Sequence, residues 1–264
     1  MYDVYAVDPM FRNSATYDQN RGSELQRRHL AHDSLQNNTN RPLNLFFLNM
    51  TAAGKPGIVC IQEWWGVAPW TRAQAQYIAD RGFRVLVPDL YRGKLSLEAK
   101  EAEHLMGGLD WAGAVEDIRG AVAHLKEEGS KAVGVTGFCM GGALTLASAV
   151  LVEGIAAAAP FYGTPSPGLA DVSKCSVPVL AQFGEKDNHA GFSDPEAAKA
   201  LEGKLKASGC EHEVVQVPGV GHGFLNALFK DGLEANEKLG RPTDPSAART
   251  AFDRAMEFFA KKLV

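Results

Sequence analysis

Residues 132–152 read Ala-Val-Gly-Val-Thr-Gly-Phe-Cys-Met-Gly-Gly-Ala-Leu-Thr-Leu-Ala-Ser-Ala-Val-Leu-Val. The opening residues 132–136 are a short apolar run rich in β-branched side chains, which predicts a buried strand, and the apolar stretch from Met140 onward predicts a buried helix. Between the two stands Gly137-x-Cys139-x-Gly141, a reactive side chain flanked by small ones at a strand-to-helix turn. This is the context of a nucleophile elbow, in which a strained turn lifts one side chain above the sheet while glycines let the backbone bend and the helix approach the strand. Cysteine stands where serine is usual. At a helix N-terminus the positive end of the helix dipole favours its thiolate. Taken without partners, Cys139 would read as a small buried residue in a tight turn.

The same alternation extends in both directions. Apolar runs at 43–48, 57–62, 84–87, 155–160, 177–183 and 213–217 are separated by helical patterns at 71–81, 97–106, 111–128, 195–208 and 246–263. Strands that are nearly continuously apolar and alternate with helices predict a mostly parallel sheet covered on both faces, a single α/β domain over residues 42–264. Residues 1–41 are polar and aperiodic and read as a disordered arm with at most one short helix, at 24–32. No fixed-period repeat or linker interrupts the rest.

Of 264 residues, 45% are hydrophobic and 22% charged, which supplies a sizeable core and excludes a wholly disordered chain. Lys plus Arg number 27 against 31 Asp plus Glu, a net charge of -4, so no global field attracts nucleic acid. The four cysteines, at 60, 139, 175 and 210, form neither a disulfide framework nor a C-x-x-C pair, which suits a reducing compartment. Asp3 and Asp8 break any secretory leader, and no apolar stretch approaches the ~20 residues that span a bilayer, so the expectation is a cytoplasmic protein with no membrane partner. Without an H-E-x-x-H motif, a paired histidine cluster or a G-x-x-x-x-G-K loop, neither a metal nor a cofactor is expected.

In parallel sheets the functional groups gather at the carboxyl ends of the strands. A cysteine nucleophile needs a base, and the base an orienting carboxylate, in the chain order nucleophile, acid, histidine. Asp187, with Glu185 as its competitor, follows the run 177–183; His222, with His189 as its rival, lies in a glycine-rich loop after 213–217. Glu63 ends a strongly apolar run, where a carboxylate needs a partner. Facing Cys139, it would oppose a free thiolate and hold the thiol as a donor; otherwise it reads as a solvated loop residue or a partner for Arg92. The backbone N–H groups of Trp64 and Met140 are candidates for an oxyanion hole. Adjacent in an extended segment, Trp64 and Trp65 point to opposite sides, one toward the pocket and one into packing. Trp70 and Trp111 are expected to pack as core or helix-capping aromatics.

Taken together and in this order, Gln-Glu63-Trp-Trp-Gly, Pro-Asp89-Leu-Tyr-Arg92, Gly-Phe-Cys139-Met-Gly-Gly, Phe-Tyr162-Gly, Gly-Glu-Lys-Asp187 and Gly-His222-Gly-Phe resemble the dienelactone hydrolase family over residues 42–264. The resemblance implies an α/β-hydrolase fold without a large cap domain. It also implies a triad of Cys139, Asp187 and His222 that hydrolyses a small ester or lactone through an acyl-cysteine, without a cofactor, in a monomer or homodimer. The glutamate matching Glu63 contacts the resting thiol and releases it when substrate binds, and Tyr162 lies in the active site. The substrate-binding set is then Glu63, Trp64, Trp65, Arg92, Met140 and Tyr162. Two departures stand out. Family members acting on dienelactone hold its carboxylate with two arginines; one follows the histidine by four residues, where this chain has Asn226, and the other follows Pro-Asp-Leu-Tyr after a spacer, whereas Arg92 follows Tyr91 directly. The stretch between Arg92 and Trp111 is short, which implies a more open pocket. The lost anchor leaves a second reading, a non-catalytic hydrolase fold that binds a small ligand or partner and is not acylated at Cys139.

Overall fold

The residues of Gly57–Ile61 are all buried, as are those of Val133–Phe138 and Val179–Gly184, so these strands have no solvent face. Period-two alternation sends Ile58 and Cys60 into one apolar cluster and Val59 and Ile61 into another on the opposite side. A sheet apolar on both faces is stable only when helices cover both.

The computed structural model describes residues 35–36, 42–49 and 54–264. Among these the strands are β1 Leu35–Gln36, β2 Pro42–Leu48, β3 Gly57–Ile61, β4 Arg84–Asp89, β5 Val133–Phe138, β6 Ile155–Phe161, β7 Val179–Gly184 and β8 His212–Val217. They form one sheet in the order β1-β2-β4-β3-β5-β6-β7-β8. The β1–β2 and β2–β4 pairings are antiparallel, and every pairing from β4 to β8 is parallel. The helices are α1 Pro69–Ala79, α2 Ala99–Gly107, α3 Trp111–Glu127, α4 Met140–Leu151, α5 Pro195–Ser208, α6 Lys230–Lys238 and α7 Pro245–Lys262. Helices α1 and α7 cover one face through Ile78, Phe252 and Phe259, while α3 and α4 cover the other through Ile118, Leu125 and Leu144. The α/β architecture with a mostly parallel sheet is therefore as expected. The polar arm read over residues 1–41, with its short helix at 24–32, lies outside the described residues except for Leu35–Gln36, which pair with β2. No helix among the described residues is long and apolar enough to cross a membrane.

Two features of the chain set up the functional end. From β3 it moves to β4 on one side and then to β5 on the other, so the carboxyl ends of β3 and β5 open side by side at a switch point, where ligand sites form in open α/β sheets. Asp110, Asp194 and Asp244 cap the N-termini of α3, α5 and α7 through their carboxylates, whereas α4 has no side-chain cap and begins directly after Cys139. Sequence patterning missed α6 and the 3-10 turn Phe224–Leu228 before it. The reason is compositional: α6 is short and mostly charged and fully buries only Gly232 and Asn236, so its apolar side is too slight to read.

Candidate active site

Cys139 sits between β5 and α4 with φ 56 and ψ -117, a conformation that L-residues rarely adopt and that costs about 1–3 kcal/mol. The surroundings enforce it. Its N–H donates to the Phe161 carbonyl at 3.1 Å, and its own carbonyl accepts from Gly142 and Ala143 at 2.8 and 3.1 Å. A Cβ on Gly141 would lie 2.5 Å from the Ile61 carbonyl oxygen, so only glycine lets the first turn of α4 rest on the end of β3.

The thiol is buried, and its pKa is pushed up to about 12, first by burial and then by the charge of Glu63. The Arg241 guanidinium and the Met140 N–H pull the other way and lose. Against the expectation that the helix N-terminus favours a thiolate, burial and the charge of Glu63 favour the neutral thiol. The backbone N–H groups of Trp64 and Met140 take no part in the turn hydrogen bonds around them.

Asp187 lies on the turn after β7 and His222 on the loop after β8. His222 Nδ1 and Asp187 Oδ2 are 2.7 Å apart, and both side chains are buried. Glu185, the competing carboxylate, accepts from the Gly219 N–H at an exposed position instead. Burial works against the charge of Asp187, yet hydrogen bonds from His189 and His222 hold its carboxyl well below the usual carboxylate range. Burial also lowers the His222 pKa to about 4, against the opposing pull of Asp187 and with help from Arg241 and His189. An ionised Asp187 can only accept, so His222 Nδ1 carries the proton and shares it with Ser193 Oγ at 3.0 Å; Nε2 keeps its lone pair. His189, the rival histidine, is bound to the same carboxylate, with Nδ1 2.9 Å from Oδ1.

Glu63 is buried and accepts three hydrogen bonds, from Tyr162 Oη at 3.3 Å, Trp70 Nε1 at 3.3 Å and Asn226 Nδ2 at 2.9 Å. Gln74 Nε2 fixes the amide of Asn226 by donating to its Oδ1 at 2.9 Å. Burial raises the Glu63 pKa, and these donors resist the rise. Glu63 therefore reaches Cys139 through charge, without the thiol contact that the resemblance implied. Nor does it pair with Arg92. Asn226 is not an empty substrate anchor, because it is fully buried and holds Glu63.

Cys139, His222 and His189 open onto a cavity of ≈ 860 Å3 whose walls include Trp64, Met106, Trp111, Leu169, Phe192 and Arg241. Of the expected substrate contacts only Trp64 lines it. Trp65 is buried between Trp64 and Trp70 at ring distances of 4.9 and 5.8 Å, and Tyr162 is fully buried with its ring 5.3 Å from His222. The Met140 side chain is likewise buried, against Tyr91 Oη. Arg92 is drawn elsewhere. It forms an ion pair with buried Asp117 at 2.8 Å and lines a separate cleft of ≈ 460 Å3. Trp111, expected in packing, does pack against the core and also lines the Cys139 cavity, and Trp70 both packs and holds Glu63.

Arg241 is the residue that sequence reasoning missed. It follows α6, and its N–H donates to the Asn236 carbonyl at 3.0 Å while Gly221 N–H donates to Pro242 at 2.8 Å, which ties this segment to the His222 loop. Its charge bears on Glu63, Cys139, Tyr162 and His222. Among the described residues no carboxylate forms an ion pair with it.

Comparison with known proteins gives concordant results. A family model described as the dienelactone hydrolase family matches residues 45–263. Protein usf of Aquifex pyrophilus is 32% identical over 222 residues, 80% of this chain and 90% of its own. The carboxymethylenebutenolidase of Rhodococcus opacus is 27% identical, covering 88% of this chain and 93% of its own. Among solved structures, a dienelactone hydrolase-like promiscuous phosphotriesterase from metagenomic libraries superposes with a TM-score of 0.72 at 21% identity, over 84% of this chain and 94% of that one, a likeness of fold.

Proposed function

The chain belongs to the dienelactone hydrolase family, and we propose that it cleaves a small carboxylic ester or lactone with Cys139 as nucleophile, His222 as base and Asp187 as the carboxylate that orients the base. The observation that carries this reading is the strained Cys139 elbow opening onto one cavity with a neutral, carboxylate-bound imidazole. Thiol and imidazole are both uncharged at rest, so the proton leaves Sγ for His222 Nε2 as the C–S bond forms. The Trp64 and Met140 N–H groups receive the oxyanion, the imidazolium is steadied by Asp187, and its proton passes to the departing alkoxide. Water, activated by the same Nε2, then attacks the thioester, and collapse of that adduct returns the proton to Sγ. Mixing the protein with p-nitrophenyl acetate and quenching early should trap an acetyl group on Cys139, detectable by peptide mass spectrometry. An unmodified Cys139 in a protein that turns the ester over would overturn the assignment, and absence of both turnover and label would favour a binding protein.

The base must be neutral to act. Because burial lowers the His222 pKa to about 4, kcat/KM on an uncharged ester is expected to hold as the pH falls through 6 and to be lost only as it passes through about 4. An acid limb centred near the ordinary histidine value would contradict the buried, carboxylate-bound imidazole.

Substrate choice follows from Arg241, a cation on the wall of an otherwise largely apolar cavity. We assign it the anchoring of a carboxylate borne by the substrate, the task that Asn226 and Arg92 do not perform. A charge-assisted hydrogen bond contributes about 1.5–3 kcal/mol, so Arg241→Leu should cut the kcat/KM ratio of a carboxylate-bearing lactone over p-nitrophenyl acetate by about 10- to 100-fold. An unchanged ratio would remove Arg241 from substrate selection.

A further inference from the structure

Hydrolysis needs one imidazole on Asp187, and the structure supplies two. His222 Nδ1 meets Oδ2 at 2.7 Å and His189 Nδ1 meets Oδ1 at 2.9 Å, so each carboxylate oxygen holds one ring. The His189 backbone N–H also donates to Oδ1, at 3.1 Å, which pins the second ring to the carboxylate through its own main chain. Because an ionised carboxylate only accepts, both Nδ1 atoms carry protons, which leaves Nε2 as the nitrogen through which either ring can bind a cation. The ring centroids are 4.1 Å apart with 36° between the planes, and both rings line the Cys139 cavity. A ring nitrogen from each histidine and an Asp187 oxygen all lie within 4.8 Å of one another. The His222 side chain is buried, whereas that of His189 is 41% exposed, so the pair is reachable from solvent.

We propose that the Nε2 atoms of His189 and His222 form a two-nitrogen site for a borderline divalent cation of the zinc class, with Asp187 orienting both rings from behind. A neutral imidazole whose other nitrogen donates to a carboxylate is the usual state of a histidine that binds such an ion. Zinc takes imidazole nitrogens at about 2.0–2.1 Å, which places two of them roughly 3.4 Å apart around a tetrahedral ion; the rings, 4.1 Å apart at their centroids, must open to hold it, and exposed His189 is the one with room to turn. Hard cations such as magnesium and calcium prefer oxygen and are not expected here. The charges of Asp187 and Glu63 favour the ion, and that of Arg241 opposes it. Water completes the coordination. An ion on this pair occupies the lone pair that the proposed base requires, so it inhibits turnover; that consequence rests on the hydrolase reading, while the binding itself does not.

The test is a competition between metal-free, full-length protein and a chromophoric chelator for Zn2+, beside Zn2+ inhibition of p-nitrophenyl acetate hydrolysis reversed by EDTA. One ion per chain is expected. His189→Gln and, separately, His222→Gln should each weaken Zn2+ binding by about tenfold or more, with native folding checked by near-ultraviolet circular dichroism. In His189→Gln the inhibitory Zn2+ concentration, scaled to that variant's own metal-free rate, should rise by the same factor. Equal affinity in wild type and both variants, or no binding to wild type, overturns the site. Histidine-dependent binding by a protein that hydrolyses no ester would keep the site and sink the hydrolase reading, whereas a hydrolase that binds no Zn2+ would do the reverse.

Discussion

Cys139→Ala is expected to lower kcat/KM on p-nitrophenyl acetate by about ten-thousand-fold or more while changing stability by no more than about 1 kcal/mol. The two halves have separate causes. Sγ is the atom that bonds to the carbonyl carbon in the proposed mechanism, so without it catalysis falls to whatever the Trp64 and Met140 N–H groups and the cavity contribute to attack by water. The fold hardly depends on that atom, because the elbow is held by backbone hydrogen bonds to Phe161, Gly142 and Ala143 that alanine keeps. Steady-state kinetics beside a thermal melt decides the matter. A variant that melts like wild type and still hydrolyses the ester would show that the nucleophile lies elsewhere; one that loses both fold and activity would show that the elbow needs its sulfur.

What the sequence made legible was governed by the main chain. A strained turn with close helix approach demands small residues at fixed offsets, which is why Gly137-x-Cys139-x-Gly141 could be placed between a strand and a helix without coordinates. Burial on both faces likewise made β3, β5 and β7 continuous apolar runs. What remained hidden was which way side chains face once irregular turns set their direction. Arg92 follows β4 and was expected at the substrate, but Asp117 on α3 lies within ion-pair reach and takes it. Asn226 stands four residues after His222, a spacing that suggested a lost anchor, yet the 3-10 turn carrying it points the amide inward to Gln74 and Glu63. Arg241 reaches the cavity because the loop after α6 is tied to the His222 loop, and α6 is a short, strongly polar helix with little apolar surface to read. Trp64 and Trp65, expected on opposite sides of an extended segment, stand instead on a turn with their rings 4.9 Å apart, and the packing of Trp65 against Trp70 leaves Trp64 to face the cavity.

Gly141→Ala should destabilise the protein by about 3 kcal/mol or more, a loss of roughly 6–12 °C in Tm for a domain of this size. The added Cβ would lie 2.5 Å from the Ile61 carbonyl oxygen, 2.6 Å from that of Gln62 and 2.9 Å from the Ile61 carbonyl carbon. All three are backbone atoms, so no side chain can rotate away and the end of β3 must separate from the first turn of α4. Helix propensity acts in the opposite direction, since alanine is preferred over glycine inside a helix by about 1 kcal/mol, and steric conflict must exceed that gain. Gly120→Ala isolates the propensity effect: a Cβ there meets nothing within 4 Å, so this α3 variant should melt above wild type. Separation of β3 from α4 also moves the Trp64 N–H away from the Met140 N–H, one being carried by the strand end and the other by the helix. Protein that remains folded in Gly141→Ala should therefore lose at least about tenfold in kcat with little change in KM for a small neutral ester, as when a donor that acts on the transition state alone is displaced. Equal melting of the two glycine variants would mean that β3 and α4 yield freely at their contact, and it would remove the close approach as the reason for glycine at this position.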